Sequence, residues 1–341
     1  MITVIAACSG GGGKKPVAVK QAPVDTHTAE KDASGLVTEI YQTIGRGDTK
    51  DGLYALLAEP LVVFGPRKSD AFATRTDALV ALEAIVDPKA KRKVPLRSSS
   101  LGVVPAPGGH SAWAVDVVTA GGDTFAMTSI LTNSDDIWTV NAVALAEMPD
   151  KGHAKSENER DAVVPPAAAS KVKVDDAARG AVDRFEKGLL DQKLWGDDLE
   201  AASEGVFVGP TEGEITRGKD LEKLWKKRVA KGVREAVSGE VSAATTPDGK
   251  LAWVTAPVTR VDDKGIPMPL RVFAVFAKAG EGWTMTALHE SLALDQPGAG
   301  ASFKKTLPKK PEPKEEPKPP EKKKTDTATP TKKKKKKKKS S

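Results

Sequence analysis

The chain has 341 residues, a 39% hydrophobic share, one cysteine and a net charge of +7. That length allows two ordinary domains, and a lone Cys8 excludes both an intramolecular disulfide and a cysteine-rich metal site. The charge sits in one place: from Lys304 onward 17 lysines face five acidic residues, a local +12 that leaves −5 for the rest, so the basic balance describes a tail and not a globular surface.

Residues 1–8, ending Ile5-Ala6-Ala7-Cys8, read as the residue of a secretory signal with small residues before a cysteine. They are similar to a bacterial lipobox, which makes Cys8 the expected lipidation site and membrane anchor, with the true start expected upstream because the basic and most of the apolar part of a signal are missing. Residues 9–28 are Gly-rich and polar, a flexible tether. No run approaches the roughly 20 apolar residues of a spanning helix.

The first domain is expected over 29–148. Leu36, Val37, Ile40, Tyr41 and Ile44 recur at helical spacing, with Gly45 and Gly47 as the stop. Leu53, Leu56 and Leu57 suggest a short second helix before a strand at 61–64. Leu79, Leu82, Ile85 and Val86 give a third helix that ends at Pro88. Alternating strands follow at about 95–104, 111–119, 123–133 and 137–147, between turns rich in Gly, Pro and Asp. Residues 149–174, with Pro165-Pro166, form a linker.

The second domain, 175–295, repeats the plan. Val182, Phe185 and Leu189, then Leu194, Trp195 and Leu199, then Leu221, Leu224, Trp225 and Val229 mark three helices, followed by strands at about 233–245, 250–261, 268–278 and 283–294. Val206-Phe207-Val208-Gly209-Pro210 nearly copies Val62-Val63-Phe64-Gly65-Pro66 at an offset of 144; Trp253 follows Trp113 by 140 and Trp283 follows Trp138 by 145. Such spacing is the mark of one fold written twice. Residues 296–341 are Lys, Pro, Glu and Thr with almost no apolar residue, and are expected to be disordered.

The order Val206 to Pro210, Glu214-Ile215-Thr216-Arg217-Gly218-Lys219, Ala252-Trp253-Val254, and Gly282-Trp283 through His289-Glu290-Ser291 resembles the SnoaL-like branch of the nuclear transport factor 2-like superfamily. In the first half the likeness rests on Val63-Phe64-Gly65-Pro66, Ala112-Trp113-Ala114 and Ile137-Trp138-Thr139. The resemblance implies an α+β architecture of two tandem cones, each with three helices packed on a curved antiparallel sheet around a pocket. It also implies that the two copies pack as an intramolecular pseudo-dimer.

In similar domains the positions of Ala287, His289 and Ser291 carry polar groups facing that pocket. His289 is therefore the candidate general base, suited by an ordinary pKa near 6.5, and Arg217, Ser291 and Trp253 are candidate ligand-binding residues for a small hydrophobic ligand. Glu214, Arg217 and Asp183 are possible partners for His289. The matching run Ala142, Ala144, Ala146 makes the first pocket degenerate. No metal or cofactor is expected, since the histidines lack ligand spacing and no phosphate loop or nucleotide fingerprint is present. Lys332–Lys339 would favour anionic envelope polymers or lipids over nucleic acid. The expectation is a bacterial cell-envelope lipoprotein facing the periplasm or the outside, a non-catalytic ligand-binding or scaffolding module; the alternative is an isomerase- or cyclase-like enzyme using His289.

Overall fold

The computed structural model describes residues 24–65, 71–83, 96–120, 122–150, 174–261 and 267–292. Cys8, residues 9–23 of the tether, nearly all of the linker, the tail and Lys332–Lys339 lie outside these residues, and the last tether residues, from Thr26 on, already belong to the first helix. No helix among the described residues is long and apolar enough to cross a membrane.

The N-terminal body opens with α1 (Thr26–Arg46), whose stripe Ala29, Ala33, Leu36, Val37, Ile40, Tyr41 and Ile44 is buried. Asp25 caps it by accepting the Thr28 N–H at 3.0 Å, and Gly47, at φ 72, supplies the left-handed residue that ends it. A single π turn (Thr49–Leu53) stands where a short second helix was expected, and Leu57 already opens β1 (Leu57–Phe64). Leu53 and Leu57 share one core without sharing one helix, which is why their spacing resembles a helical one. After β2 (Ala71–Phe72) and α2 (Arg75–Glu83) come β3 (Arg97–Ser98), β4 (Gly102–Pro105), β5 (Ser111–Ala120), β6 (Asp123–Ser134) and β7 (Ile137–Glu147). Asp135 and Asp136 both take positive φ, 53 and 63, as the tight turn from β6 to β7 demands.

The C-terminal body has a 3-10 turn (Asp176–Ala178), α3 (Arg179–Leu190), α4 (Gln192–Ala201), β8 (Val206–Val208), β9 (Ile215–Arg217), α5 (Lys219–Ala230), β10 (Arg234–Val237), β11 (Ser242–Thr245), β12 (Leu251–Val261), β13 (Pro267–Ala279) and β14 (Gly282–Ser291). Its sheet runs β9-β8-β14-β13-β12-β10 with β11 beside β12; the N-terminal sheet runs β2-β1-β7-β6-β5-β3 with β4 beside β5. The two orders correspond strand for strand, and the β1–β7 and β8–β14 pairs are both parallel.

Each sheet has an inner face toward its own helices and an outer face toward the other sheet. The inner cores stay within their bodies. A third core joins Phe64, Trp113, Ile130 and Ala142 to Val206, Trp253, Phe273 and Val275, so the sheets pack face to face. Phe64 meets Trp253 edge-on, with ring centroids 6.0 Å apart, while Trp253 and Phe273 stack at 5.9 Å.

One irregularity decides which residues face where. In β7, Ile130 pairs with Ala142 but Leu131 with Val140, which leaves Asn141 as an extra residue; in β14, Val275 pairs with Ala287 but Phe276 with Met285, which leaves Thr286 extra. Each bulge inverts the alternation beyond it. Met285 and Leu288 therefore both face inward, and Ala287 faces the other sheet.

Candidate functional site

The four candidate residues of the second half gather on the outer face of its sheet, away from the interior between sheet and helices. Strict alternation puts His289 with Met285 on one face; the bulge at Thr286 separates them. His289 is 2% exposed, and its Nδ1 lies 3.1 Å from Thr128 Oγ1 on β6 of the other body. The contact is a neutral hydroxyl, where a general base would need an orienting carboxylate. Nε2 has no hydrogen-bond partner. Burial, and secondarily the charge of Arg271, lower the His289 pKa to about 4, so the imidazole is neutral at ordinary pH.

Ser291, beside it, donates to the Arg271 backbone carbonyl at 3.2 Å. Trp253 is the aromatic centre of the sheet-to-sheet core. Arg217 ends strand β9, which pairs with β8 through Ile215, Thr216 and Arg217. Its guanidinium crosses to the N-terminal body, donates to the Ser100 carbonyl at 2.9 Å and lies over Gly102, where an added Cβ would come within 2.2 Å of Nη1. More cross-body bonds surround the apolar centre: Ser111 to Asp248 at 2.7 Å, Thr124 to Glu212 at 2.7 Å, and Arg271 to the Gly65 carbonyl at 2.7 Å. The structure brings the predicted set together, but as a seam between sheets.

The interior of the C-terminal body holds a group not anticipated from the sequence. Arg228 of α5 donates to Glu290 (2.8 and 3.1 Å) and to Glu235 (2.7 Å), and Arg260 of β12 donates to Glu235 (2.7 Å) and also bonds Glu290. Gln192 completes the set through its Nε2 on Glu235 at 3.2 Å. Two positive and two negative charges balance. Both carboxylate side chains are fully buried, and Arg228 also packs over the Phe207 and Trp225 rings at 5.2 and 4.8 Å. Burial lowers the pKa of Arg228, and burial with the neighbouring Arg228 charge lowers that of Arg260 to about 10. For Glu235 burial acts upward, but Arg260 and Arg228 outweigh it and leave the carboxyl below its usual value.

A signal for this network exists in the chain. Arg228 takes the next place on the stripe Leu221, Trp225; Arg260 continues the inward run Ala252, Val254, Ala256, Val258; and Glu290 follows Leu288. A charged residue in an apolar stripe marks a buried ion pair only if its partner is known, and these partners lie on four separate elements.

A groove of about 290 Å³ between α4 and α5, bordered by Lys193, Gly196, Glu200 and Trp225, contains none of the four predicted residues. No cluster of three or more His, Cys, Asp or Glu placed to hold a metal occurs among the described residues.

Comparison with known proteins places part of this architecture. Residues 192–295 match the SnoaL-like domain. This SnoaL-like domain thus spans α4 to β14 and includes all five members of the buried ionic network. No curated protein matches the chain. Solved structures similar in fold include an NTF2-like protein of unknown function from Pseudomonas putida, 16% identical over 37% of this chain and 91% of that one, TM-score 0.33. Another is an NTF2-like protein from Cytophaga hutchinsonii, 16% identical over 35% of this chain and 97% of that one, TM-score 0.28. A third is ActVI-ORFA from Streptomyces coelicolor, 12% identical over 34% of this chain and 95% of that one, TM-score 0.28.

The His289 environment yields an expected pH dependence. Its folded pKa, about 4, lies below the unfolded value of 6.5, so between these the unfolded chain binds more protons. The neutral histidine's contribution is complete above pH 6.5 and is lost as pH falls toward 4, by about 3 kcal/mol in all. Urea unfolding at pH 7.0 and 4.5 should show this slope, and His289→Gln should flatten it. An unchanged slope in His289→Gln would show that other groups carry it.

Proposed function

We propose that the chain is a cell-envelope lipoprotein, anchored through Cys8, in which two SnoaL-like domains are joined sheet to sheet as a non-catalytic ligand-binding or scaffolding module. The observation that carries this reading is the position of His289: the one candidate base is buried against Thr128 of the opposite body, and the interior of its own cone is crossed by a charge-balanced ionic network. A proton-transfer site needs a base that can reach the substrate, and His289 reaches only the seam. The matching strand orders and the matched bulges support a duplicated fold. The Lys332–Lys339 run adds attraction to anionic lipid or envelope polymer, at about 1 kcal/mol per lysine near such a surface.

Mass spectrometry of the protein isolated from bacterial membranes tests this. A chain beginning at a diacylated or triacylated Cys8 is expected, together with small molecules from a cell extract that are retained unaltered. An unmodified Cys8 would remove the anchor. Release of chemically altered molecules at a rate abolished by His289→Ala would restore the isomerase- or cyclase-like alternative.

A further inference from the structure

The run Ala142, Ala144, Ala146 suggested an apolar first pocket, but beyond the bulge at Asn141 these alanines leave the interior: Ala142 and Ala144 belong to the core between the sheets. What faces the interior of the N-terminal body is different. Asp116 of β5 is 0% exposed; its Oδ1 accepts the Ser100 N–H at 3.1 Å, and its Oδ2 has no partner. On the neighbouring strand, Met127 pairs directly with Asp116 and Ser129 with Ala114, which sets Ser129 diagonal to the carboxylate. Ser129, 1% exposed, also has an unpartnered Oγ. Tyr41 of α1 comes from the opposite side, where its hydroxyl points at Met127 Sδ at 3.9 Å, a weak acceptor. Burial, then the charge of Asp116 and the approach of its side chain within hydrogen-bonding reach, hold the Tyr41 hydroxyl well above the usual phenol pKa, so it keeps its proton.

Two polar atoms without a hydrogen-bond partner, Asp116 Oδ2 and Ser129 Oγ, thus lie on the inner face of the sheet beside an apolar wall of Val118, Phe125 and Leu145, with Val37 one turn before Tyr41. Buried polar groups are almost always paired, and a buried carboxylate most of all, with a charged donor as the partner that best offsets its desolvation. Glu147, buried on the inner strand β7, adds a second acid to this interior.

We propose that the N-terminal body binds the primary ammonium head of a small aliphatic amine, with Asp116 Oδ2 and Ser129 Oγ accepting its N–H groups and Tyr41 lying beside the head. The apolar wall takes the alkyl body. This rests on the binding-module reading above but not on the lipid anchor.

Isothermal titration of the full chain with n-butylamine, cyclohexylamine and, as an uncharged comparison, n-butanol tests it. The amines should bind one per chain and at least ten-fold more tightly than butanol. Asp116→Asn should weaken amine binding at least ten-fold, and Ser129→Ala several-fold with the fold intact by circular dichroism. The proposal is overturned by amines that show no saturable binding, by butanol binding as tightly, or by binding that neither Asp116→Asn nor Ser129→Ala changes, as a carboxylate satisfied by water alone would give. An amine that binds as described but is released chemically changed would leave the site standing and remove the non-catalytic reading.

Discussion

Replacing Arg228 by Met is expected to lower the unfolding free energy by about 3–5 kcal/mol, the cost of leaving a buried charge without its partner. Glu235 and Glu290 would then share Arg260 alone, with both carboxylate side chains fully buried. The pair Arg228→Met with Glu290→Leu should cost far less, because one arginine then faces one glutamate and the lost pair is replaced by apolar volume. Urea unfolding of the two single variants and the double variant decides this. A single-variant loss under about 1 kcal/mol would mean that water reaches the network.

Trp253→Ala should cost a comparable 3–5 kcal/mol through the cavity it leaves. The effect should also differ in kind. Trp253 touches Phe64 of one body and Phe273 of the other, so its loss weakens the seam more than either inner core. Calorimetry of the wild type is expected to show the two bodies melting together, and of Trp253→Ala to show two separate transitions. One transition at an unchanged temperature would place the coupling in the polar bonds around the seam instead.

Much of the architecture was legible because it depends on period. The helical spacing through Leu36 and Ile44 gave α1, and turns rich in Gly, Pro and Asp marked the ends of strands that lie within a few residues of their expected places. The short β2 and β9 carry no periodic signal and went unseen. The site failed for one geometric reason. Period-two reading assumes no inserted residue, and Thr286 is one: it turns His289 and Ser291 from the interior to the seam and brings Glu290 inward. Asn141 does the same in β7, so an interior read as apolar from its alanines in fact contains Asp116 and Ser129. Nothing in the local composition announces either bulge, since both lie within otherwise ordinary apolar strands.

The bonds around the seam have an asymmetry of their own. Arg217 and Arg271 reach from the C-terminal body to the carbonyl oxygens of Ser100 and Gly65, and the Glu212 N–H reaches the carbonyl of Pro149. A carbonyl belongs to the main chain whatever residue carries it. At these three points one half of the protein holds the other by its path, whereas Ser111, Thr124 and Thr128 join the seam through their side chains. Mutational drift at those N-terminal positions can proceed while the docking persists, whereas a change at either arginine removes a bond that no substitution opposite can restore.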